Sequence, residues 1–464
     1  MLYHASPRPG RKRSGKILVL FALLLPVLLG MVGLSIDGGM LLGAHRQTRN
    51  AADAAALAAA KDLLGGKSVA TAQATASSFV KSYNGLSSAT VTTNIPPTTG
   101  PYAGNSHYAE VIVEYQLTTY FIQILGVNSS QTVKARAVAG FEAVSAGEGA
   151  IVLDPTAKPG LSVGGGGTLV VNGRVVVNSQ GAGVDENGNP VNLGVAGPAA
   201  STGNGSTVQA SDIEVVGGVD TPANFQNLPG NTGSPLHAHV LPEPDPLANL
   251  AVPSKATIPT LDTTSRGAVS INNGTTTLNP GVYDSIKITN GATVTFNPGI
   301  YIIKATGTNA ITFTGGATIR GTGVLFYNTG SDFNVNTGAP DNSDGETAPP
   351  PTGNATFGDV TINASNVQLT GLVAAPGTAL ADYNGILFFQ RRLNTKSADI
   401  QGNSTNTVLA GTIYAKWANF KLAGSGKYDA QFIVGSMAIS GQANITLNYA
   451  GKNLGKANQV FLVE

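Results

Sequence analysis

An unbroken apolar segment, Ile17–Ile36, is the feature that most constrains how this chain folds. As a helix its roughly 20 residues would measure about 30 Å, the thickness of the hydrocarbon core of a bilayer. Asp37 closes the segment, and five basic residues precede it without an acidic neighbour: Arg8, Arg11, Lys12, Arg13 and Lys16. Because basic flanks stay in the cytoplasm, we expect a single-pass protein of the cytoplasmic (inner) membrane. Residues 1–16 would form a cytoplasmic tail, and most of the chain would lie outside.

Two kinds of processing compete with retention of this anchor. The apolar region of a cleaved signal peptide is shorter, about 7 to 15 residues, and ends at a small-residue cleavage site that Gly38–Leu42 lacks. Prepilin-type cleavage after Gly15 would place Leu20 where those peptidases usually require glutamate. The sequence therefore favours a retained anchor.

Charge and cysteine content exclude several classes of function. The chain has 27 basic and 26 acidic residues, so no overall field attracts nucleic acid. It contains no cysteine, so an exported domain must be stabilised by a buried core without disulfides or thiolate metal sites. Its 59 glycines suit repeated turns in a stacked β architecture.

Helical composition continues beyond the apolar segment. His45–Leu64 is rich in alanine and leucine and lacks proline, so we expect the first helix to extend to a stop at Gly65-Gly66. A second helix is predicted over Ser68–Tyr83. The small side chains of Asn50–Ala60 allow close approach of either a partner helix or the protein's own sheet.

Strands follow the two helices. Apolar and polar residues alternate over 109–117 and again over 132–141, which predicts two half-buried strands. Four charged residues could pair across these strands or remain solvated on an exposed face: Glu110, Glu114, Lys134 and Arg136.

The N-terminal region resembles the TadE/TadG-like proteins of Tad (Flp) pilus assembly. The similarity lies in Ser14–Asp37, followed at the family's usual distance by Arg46–Lys61. The signature positions are Pro26, Asp37, Asn50, Ala51, Ala52, Asp53, Ala54 and Leu57. Tyr120–Gly126 and Ala135–Ala139 also resemble the β part of this family.

This resemblance implies a pilin-like layout, in which a long N-terminal helix docks on a small sheet. Residues 37–145 would form this extracytoplasmic α+β domain. The resemblance also implies a role in assembling adhesive pili at the bacterial envelope, with the bilayer and other pilus-assembly or pseudopilin proteins as partners.

The pattern changes near Gly149 to short Val/Ile/Thr runs separated by Gly and Asn. A weak strand-turn-strand repeat recurs at 166–177, 290–303, 315–326 and 440–448. Because such a unit cannot bury its apolar face alone, we expect residues 146–464 to stack as a right-handed parallel β-helix. A β-sandwich is the alternative, since Asn-Gly pairs at 273–274 and 290–291 suit hairpins.

Two segments interrupt the repeat. Residues 221–260 are rich in proline and are predicted to run along the surface or to link two β portions. Residues 332–358, which include Pro349–Pro351, are predicted to form a mobile loop.

A weak metal site is suggested by His237 and His239, with Glu243 and Asp245 close behind. Imidazole and carboxylate groups are ligands of zinc and other divalent ions. Pro242, Pro244 and Pro246 restrict the intervening backbone, so a solvated loop is the favoured interpretation. We therefore expect no resident metal or cofactor.

A saccharide site is suggested by two further groups of residues. Asp382, Asp399, Arg391, Arg392 and Lys396 could form a carboxylate-plus-base cleft, although solvated charges explain them better. Four aromatic residues could stack on a sugar, although packing in the core is favoured: Tyr414, Trp417, Phe420 and Tyr428.

Three functions remain open at this point. The leading hypothesis is a non-enzymatic, membrane-anchored envelope protein for pilus assembly or surface attachment, with a cell-wall or extracellular polysaccharide as a further partner. The second is a carbohydrate-active enzyme or carbohydrate-binding protein on a β-helix. The third is an envelope scaffold that polymerises through exposed strand edges.

Overall fold

The computed structural model describes residues 16–64, 67–145, 148–305, 307, 309–340, 357–375, 377–402, 407–441, 444–449 and 454–463. The chain divides into two compact units. Unit 1 comprises Met1–Glu142 and Asn458–Glu464, and unit 2 comprises Ala143–Ala457. The basic tail over 1–15, the Gly65-Gly66 stop and residues 341–356 of the loop expected over 332–358 lie outside the described residues.

Unit 1 begins with a single long helix. Helix α1 (Lys16–Leu64) continues from the apolar segment through the alanine-rich segment, as expected. Helix α2 (Val69–Ser78) is capped by Ser68, whose hydroxyl accepts the Thr71 N–H at 3.2 Å, and a π-helical turn, Phe79–Tyr83, follows.

A small sheet completes unit 1. Its strands are β1 (Thr90–Asn94), β2 (Tyr108–Thr118), β3 (Ser130–Ser145) and a strand that follows unit 2 in sequence, β26 (Lys456–Leu462). Their order is β1-β2-β3-β26, and the β1–β2 and β2–β3 pairs are antiparallel. The sequence-based division, which assigned everything from 146 to 464 to one β unit, differs from the structure here. Residues after 457 belong with the first sheet.

The alanine-rich face of α1 is buried within unit 1. Six alanines have no exposed surface: Ala51, Ala52, Ala55, Ala56, Ala59 and Ala60. They pack in one cluster with Ala72 and Ala76 of α2 and with Ala109, Val111 and Val113 of β2. Of the two predicted uses of this face, the structure therefore has packing on the protein's own sheet.

The N-terminal part of α1 is exposed. Its large apolar side chains between Leu18 and Ile36 are 40 to 76% exposed. Among the described residues, one helix is long and apolar enough to cross a membrane, and it is this one. The structure is thus consistent with single-pass membrane anchoring.

Unit 2 is mainly β. Its first strands are β4 (Glu148–Val152), β5 (Leu161–Val163), β6 (Thr168–Val177), β7 (Gly183–Val184), β8 (Pro190–Val191), β9 (Ala200–Thr202), β10 (Thr207–Val215), β11 (Phe225–Asn227) and β12 (Leu236–Ala238). The next are β13 (Ser265–Ile271), β14 (Thr275–Leu278), β15 (Gly281–Ile288), β16 (Thr293–Phe296), β17 (Gly299–Lys304), β18 (Asn309–Gly321), β19 (Val324–Thr329) and β20 (Asp359–Thr370). The last are β21 (Ile386–Gln390), β22 (Ala398–Gln401), β23 (Thr407–Ala423), β24 (Gly426–Ser440) and β25 (Asn444–Leu447).

Twenty of these strands form one large sheet, and β7 and β8 form a separate antiparallel pair. The described strand pairs of the large sheet are parallel. One stack runs β12-β10-β6-β4-β24-β23-β21-β19-β17-β15. The described part of the large sheet is therefore not built from antiparallel hairpins, which a β-sandwich would contain.

The order of strands in this stack differs from their order in sequence. Ile151 of β4 lies beside Ile433 of β24, so the beginning of unit 2 stacks directly on its end. The chain runs from β4 to β12 in one direction and then starts again with β13 at the opposite end of the stack. Nine strand-to-strand steps of about 4.8 Å separate β12 from β15, or about 43 Å.

Residues 239–264, which we call the strap, bridge that distance. The strap is described over its whole length and contains no helix or strand. The proline-rich excursion expected over 221–260 thus includes two short strands, β11 and β12, before the chain enters the strap.

Both faces of the stack are buried from β6 to β17. Side chains alternate along each strand, so Phe326 and Phe388 face the interior, whereas Tyr327 and Phe389 belong to an outer cluster. Strap residues complete that outer cluster: Leu247, Val252, Ile258 and Leu261. The strap therefore covers an apolar outer face that would otherwise meet water.

Candidate functional site

Asp37 of α1 is fully buried and joins the helix to the loop between β2 and β3. Its carboxylate accepts three backbone N–H groups, from Tyr120 at 3.2 Å, Phe121 at 2.8 Å and Ile122 at 2.7 Å. Charge-assisted bonds of this kind are stronger than neutral ones. Asp37 thus fixes the loop to the helix immediately after the apolar segment.

Gly33 makes a second contact at this junction. A Cβ atom built on Gly33 would lie 2.5 Å from the Cβ of Phe121, which is closer than real side chains approach. The absence of a side chain at Gly33 therefore lets the loop backbone reach the helix.

The other signature positions of α1 differ in burial, and Asp53 and Ala54 are partly buried. Ala51 and Ala52 are fully buried, whereas Asn50 is exposed and Leu57 is 36% exposed. Pro26 lies inside the helix on its exposed part. The signature thus combines residues that pack unit 1 with residues left on its surface.

Glu110 is the main charged group of the small sheet. Its carboxylate accepts the Arg136 Nε–H at 2.6 Å and bonds from Asn94, Thr98 and Thr99. Burial raises the pKa of Glu110, but the Asn94, Arg136 and Thr98 donors outweigh it and lower the pKa to about 2. The expected cross-strand pairing therefore forms here.

The second expected pair, Lys134 with Glu114, also forms at 2.8 Å. It lies on the surface, with side chains 59% and 42% exposed. The two pairs thus differ: that of Glu110 is buried on the acidic side, and that of Glu114 is solvated.

A buried polar cluster holds the strap in unit 2. The Tyr414 hydroxyl donates to Asp245 Oδ2 at 2.7 Å, and the Arg392 Nε–H donates to that hydroxyl at 3.0 Å. Lys416 Nζ lies 3.5 Å from the same carboxylate, with side chains 3% and 7% exposed. Burial and the Asp245 charge raise the pKa of Tyr414 well above its usual range, so its hydroxyl remains a donor.

Arg392 also binds the strap backbone directly. Its Nη2 donates to the carbonyl oxygens of Leu247 at 2.6 Å and Leu250 at 2.8 Å. Further along, the Tyr383 hydroxyl donates to the Ala251 carbonyl at 2.9 Å. The strap has no regular secondary structure, so its carbonyl groups lack the backbone partners of a helix or sheet. Side chains of the stack bind three of these carbonyl groups instead.

Arg391 and Arg392 correct the expectation of solvated loop charges. They are 1% and 4% exposed. Arg391 pairs with Asp332 at 2.9 Å and lies over the ring of Phe357, 5.2 Å from its centroid. Burial is possible because each guanidinium has a carboxylate, carbonyl or aromatic partner in reach.

The remaining members of the expected carboxylate-plus-base cleft are dispersed. Asp382 is exposed in a single 3₁₀ turn before β21, and Asp399 lies in β22. Lys396 is partly buried in the turn that precedes β22. The described hydrogen bonds and ion pairs do not join these residues to one another.

The suggested metal ligands also have separate partners. His237 Nε2 lies 3.7 Å from Asp212, Glu243 lies 3.5 Å from Arg174, and Asp245 binds Tyr414. His239 is exposed and has a φ of 60°. Among the described residues, no group of three or more His, Asp or Glu side chains could hold a metal ion.

A cleft of about 390 Å³ opens beside the strap cluster. It is lined by Leu153, Pro155, Asn178, Gln180, Pro242, Glu243, Pro244, Asp245 and Lys416. Asn178 donates to and accepts from the backbone of Glu243, at 2.7 and 3.0 Å, so this wall is held in place.

The four aromatic residues suggested for sugar stacking are packed inside unit 2. Tyr414, Trp417, Phe420 and Tyr428 are each at most 5% exposed. Their ring faces are therefore covered by protein, in line with the favoured interpretation of core packing.

Sequence reasoning missed the strap cluster. No sequence pattern indicates Lys416, and the patterns place Arg392 and Tyr414 in different groups. A signal existed in the strongly apolar run Ile386–Phe389, which one residue separates from two arginines, because a charge directly after a buried strand must find a partner. The partner itself lies more than 140 residues away in sequence, which no local pattern reveals.

Comparison with known proteins bears on the N-terminal region. Residues 15–62 match the family model described as "Putative Flp pilus-assembly TadE/G-like". The match covers Pro26, Asp37 and the Asn50–Leu57 signature, and confirms the resemblance there. No curated protein and no solved structure matches the chain. The N-terminal segment is therefore TadE/G-like, which connects the chain with a pilus-related role at the envelope.

Proposed function

We propose that this chain is a non-enzymatic, membrane-anchored envelope protein that acts in Tad/Flp-type pilus assembly or surface attachment. The TadE/G-like match at residues 15–62 carries the proposal. The exposed apolar side chains between Leu18 and Ile36 support it, because lipid is the surrounding in which they are stable.

In this proposal unit 1 is the assembly module and unit 2 is presented outside the cytoplasm. The exposed signature residues Asn50 and Leu57 are the positions of α1 at which another pilus-assembly protein would bind. Unit 2 offers a rigid surface for a cell-wall or extracellular polysaccharide.

Deletion of the chromosomal gene tests the pilus role. We expect loss of surface pili and of adhesion, both restored by the wild-type chain. Complementation with a chain in which Asn50 and Leu57 are both replaced by Ala should not restore pili, whereas Asp382→Asn should. Unchanged piliation and adhesion in the deletion strain would overturn the proposal.

Membrane orientation requires a separate test. The chain has no cysteine, so Leu241→Cys, at a position 89% exposed, provides a single label site in unit 2. We expect a membrane-impermeant maleimide to label it in intact spheroplasts. Labelling that requires lysis would contradict the proposed orientation.

We further propose that unit 2 is a right-handed parallel β-helix. The parallel pairing and aligned ladders, such as Tyr327 beside Phe389, support this architecture. Gly281 pairs with Tyr301, so excision of residues 281–300 removes about one turn and preserves register. That variant should still unfold cooperatively by fluorescence of the single tryptophan, Trp417, whereas excision of 281–290 should not. The opposite pattern would exclude a β-helix.

A carbohydrate-active enzyme is the rival class, and uronic-acid polymers are the appropriate substrates for a test. We expect the purified chain to release no more product than the Asp382→Asn/Asp399→Asn variant. Turnover that disappears in this variant would contradict a non-enzymatic role.

A further inference from the structure

We propose that the loop between β2 and β3, residues 119–129, lies in the headgroup layer of the bilayer and forms a second membrane contact beside α1. This inference rests on the proposed function in one respect, namely that α1 spans a bilayer. The loop and the helix both belong to unit 1.

The position of the loop along α1 is the first argument. Asp37 binds the N–H groups of Tyr120, Phe121 and Ile122, and Gly33 contacts Phe121. Gly33 precedes the end of the apolar segment by three residues, or about 4.5 Å along the helix axis. The loop therefore lies at the depth where hydrocarbon meets headgroups.

The composition of the loop is the second argument. No charged residue occurs between Tyr115 and Val133. Tyr120 is 64% exposed and Val127 is 40% exposed. An aromatic ring with a polar tip is favoured at a membrane interface, whereas the same exposed apolar surface is unfavourable in water.

The polar groups of the loop are the third argument, because an unpaired backbone group is costly near lipid. Three N–H groups of the loop donate to Asp37. These hydrogen bonds also compensate the charge of the carboxylate at the edge of the apolar segment. The Gln123 side chain donates to the Thr119 carbonyl at 2.7 Å, and the Gly126 N–H donates to the Gln123 carbonyl at 2.9 Å. These backbone groups are thus paired within the protein where the loop meets the bilayer.

Spin labelling of the full chain in phosphatidylcholine/phosphatidylglycerol vesicles tests the inference. The label is placed on Tyr120→Cys, and its collisions with oxygen and with a water-soluble nickel chelate are compared. Leu28→Cys, at a position 53% exposed in the apolar segment, is the lipid control. Tyr83→Cys is the aqueous control, because Tyr83 is 76% exposed. The next residue, Asn84, accepts a hydrogen bond from Gln47 of α1, which fixes the position of Tyr83 along the helix. Gln47 is ten residues beyond Asp37, or about 15 Å along α1.

We expect the oxygen-to-nickel collision ratio at Tyr120 to lie between the ratios at Tyr83 and Leu28, clearly above that at Tyr83. A second change, Gly33→Val, should displace Phe121 and shift the Tyr120 ratio toward the Tyr83 value. A Tyr120 ratio equal to that of Tyr83, with Leu28 in lipid, would overturn the inference. Protection of Tyr120 from both reagents would also overturn it, by indicating a protein cover. An aqueous ratio at Leu28 would instead refute the membrane anchor.

Discussion

At the scale of single residues, charge is buried in this protein where several donors or acceptors converge on it. Asp37 binds three N–H groups, and Glu110 is bound by Arg136 and neutral donors. Arg392 binds two carbonyls and a hydroxyl. A buried charge without partners is strongly destabilising. Loss of the partners of any one of these three charges should therefore destabilise the part of the fold around it.

Glu110 should give unit 1 an acid sensitivity. The folded-state pKa of about 2 is lower than the ordinary value of 4.5, so its contribution to stability is complete above pH 4.5 and is lost as pH falls toward 2. The protection of β2 peptides from hydrogen exchange, relative to the intrinsic rate at each pH, should therefore fall over this range in the wild type. Glu110→Gln should lower the free energy of unfolding of unit 1 by about 3 kcal/mol at neutral pH. The pH dependence that the Glu110 carboxylate causes should be absent from this variant. Identical pH profiles for both chains would contradict the assignment.

Two glycines of α1 form a matched pair for the helix-loop junction. Gly33→Ala must displace Phe121 and should destabilise the junction by about 1–3 kcal/mol, as overpacking does. Gly39→Ala meets no atom within 4 Å and should stabilise the helix by up to about 1 kcal/mol. Hydrogen exchange of residues 118–130 should rise in the first variant alone. Equal exchange in both variants would mean that the contact at Gly33 is unimportant.

At the scale of elements, the strap takes the place of an outer layer of secondary structure. Its apolar side chains cover the outer face of one strand stack, while Arg392 and Tyr383 bind its carbonyls. A helix or strand would pair those carbonyls within itself or with a neighbouring strand. The strap can therefore remain extended and span many strands with few residues.

Replacement of Arg392 should release the strap. Arg392→Met leaves the carbonyls of Leu247 and Leu250 without their donor and should cost about 3 kcal/mol. We expect protease to cleave within the strap much faster than in wild type. Arg320→Met, which alters an exposed arginine of β18, is the control and should behave as wild type. Unchanged cleavage in Arg392→Met would refute the clamping role.

The sequence predicted the elements better than their partners. The long helix followed from the continuity of apolar and alanine-rich segments, and alternation predicted the two strands that carry Glu114 and Lys134 but left open whether these charges would pair. The partners of Arg391 and Arg392 could not be predicted, because Asp332 and Leu247 are distant from them in sequence. Local charge patterns do not reveal which surface another segment will cover.

At the scale of the whole molecule, strand order could not be derived from sequence either. The repeat indicated stacking, but not that Ile151 would stack on Ile433, between two strands nearly 300 residues apart. Neighbouring copies in sequence are the default neighbours in space. The strap departs from that default by returning the chain to the opposite end of the sheet.

This strand order predicts that the strap can be cut without separating the two parts of the chain. A protease site inserted after Leu241, which is 89% exposed, should give fragments that co-elute in gel filtration. They are expected to remain paired through β4–β24, β6–β25 and β3–β26. An insertion of equal length without a cleavage sequence is the control. Fragments that separate without denaturant would contradict the described pairing.

The membership of β26 in the first sheet affects biogenesis. Because β26 follows unit 2 in sequence, the ribosome must complete more than 300 intervening residues before the sheet beside the anchor can close. Until then the edge of β3 that neighbours β26 has no strand beside it. In the proposed orientation, completion of unit 1 is thereby coupled to export of everything between its two parts.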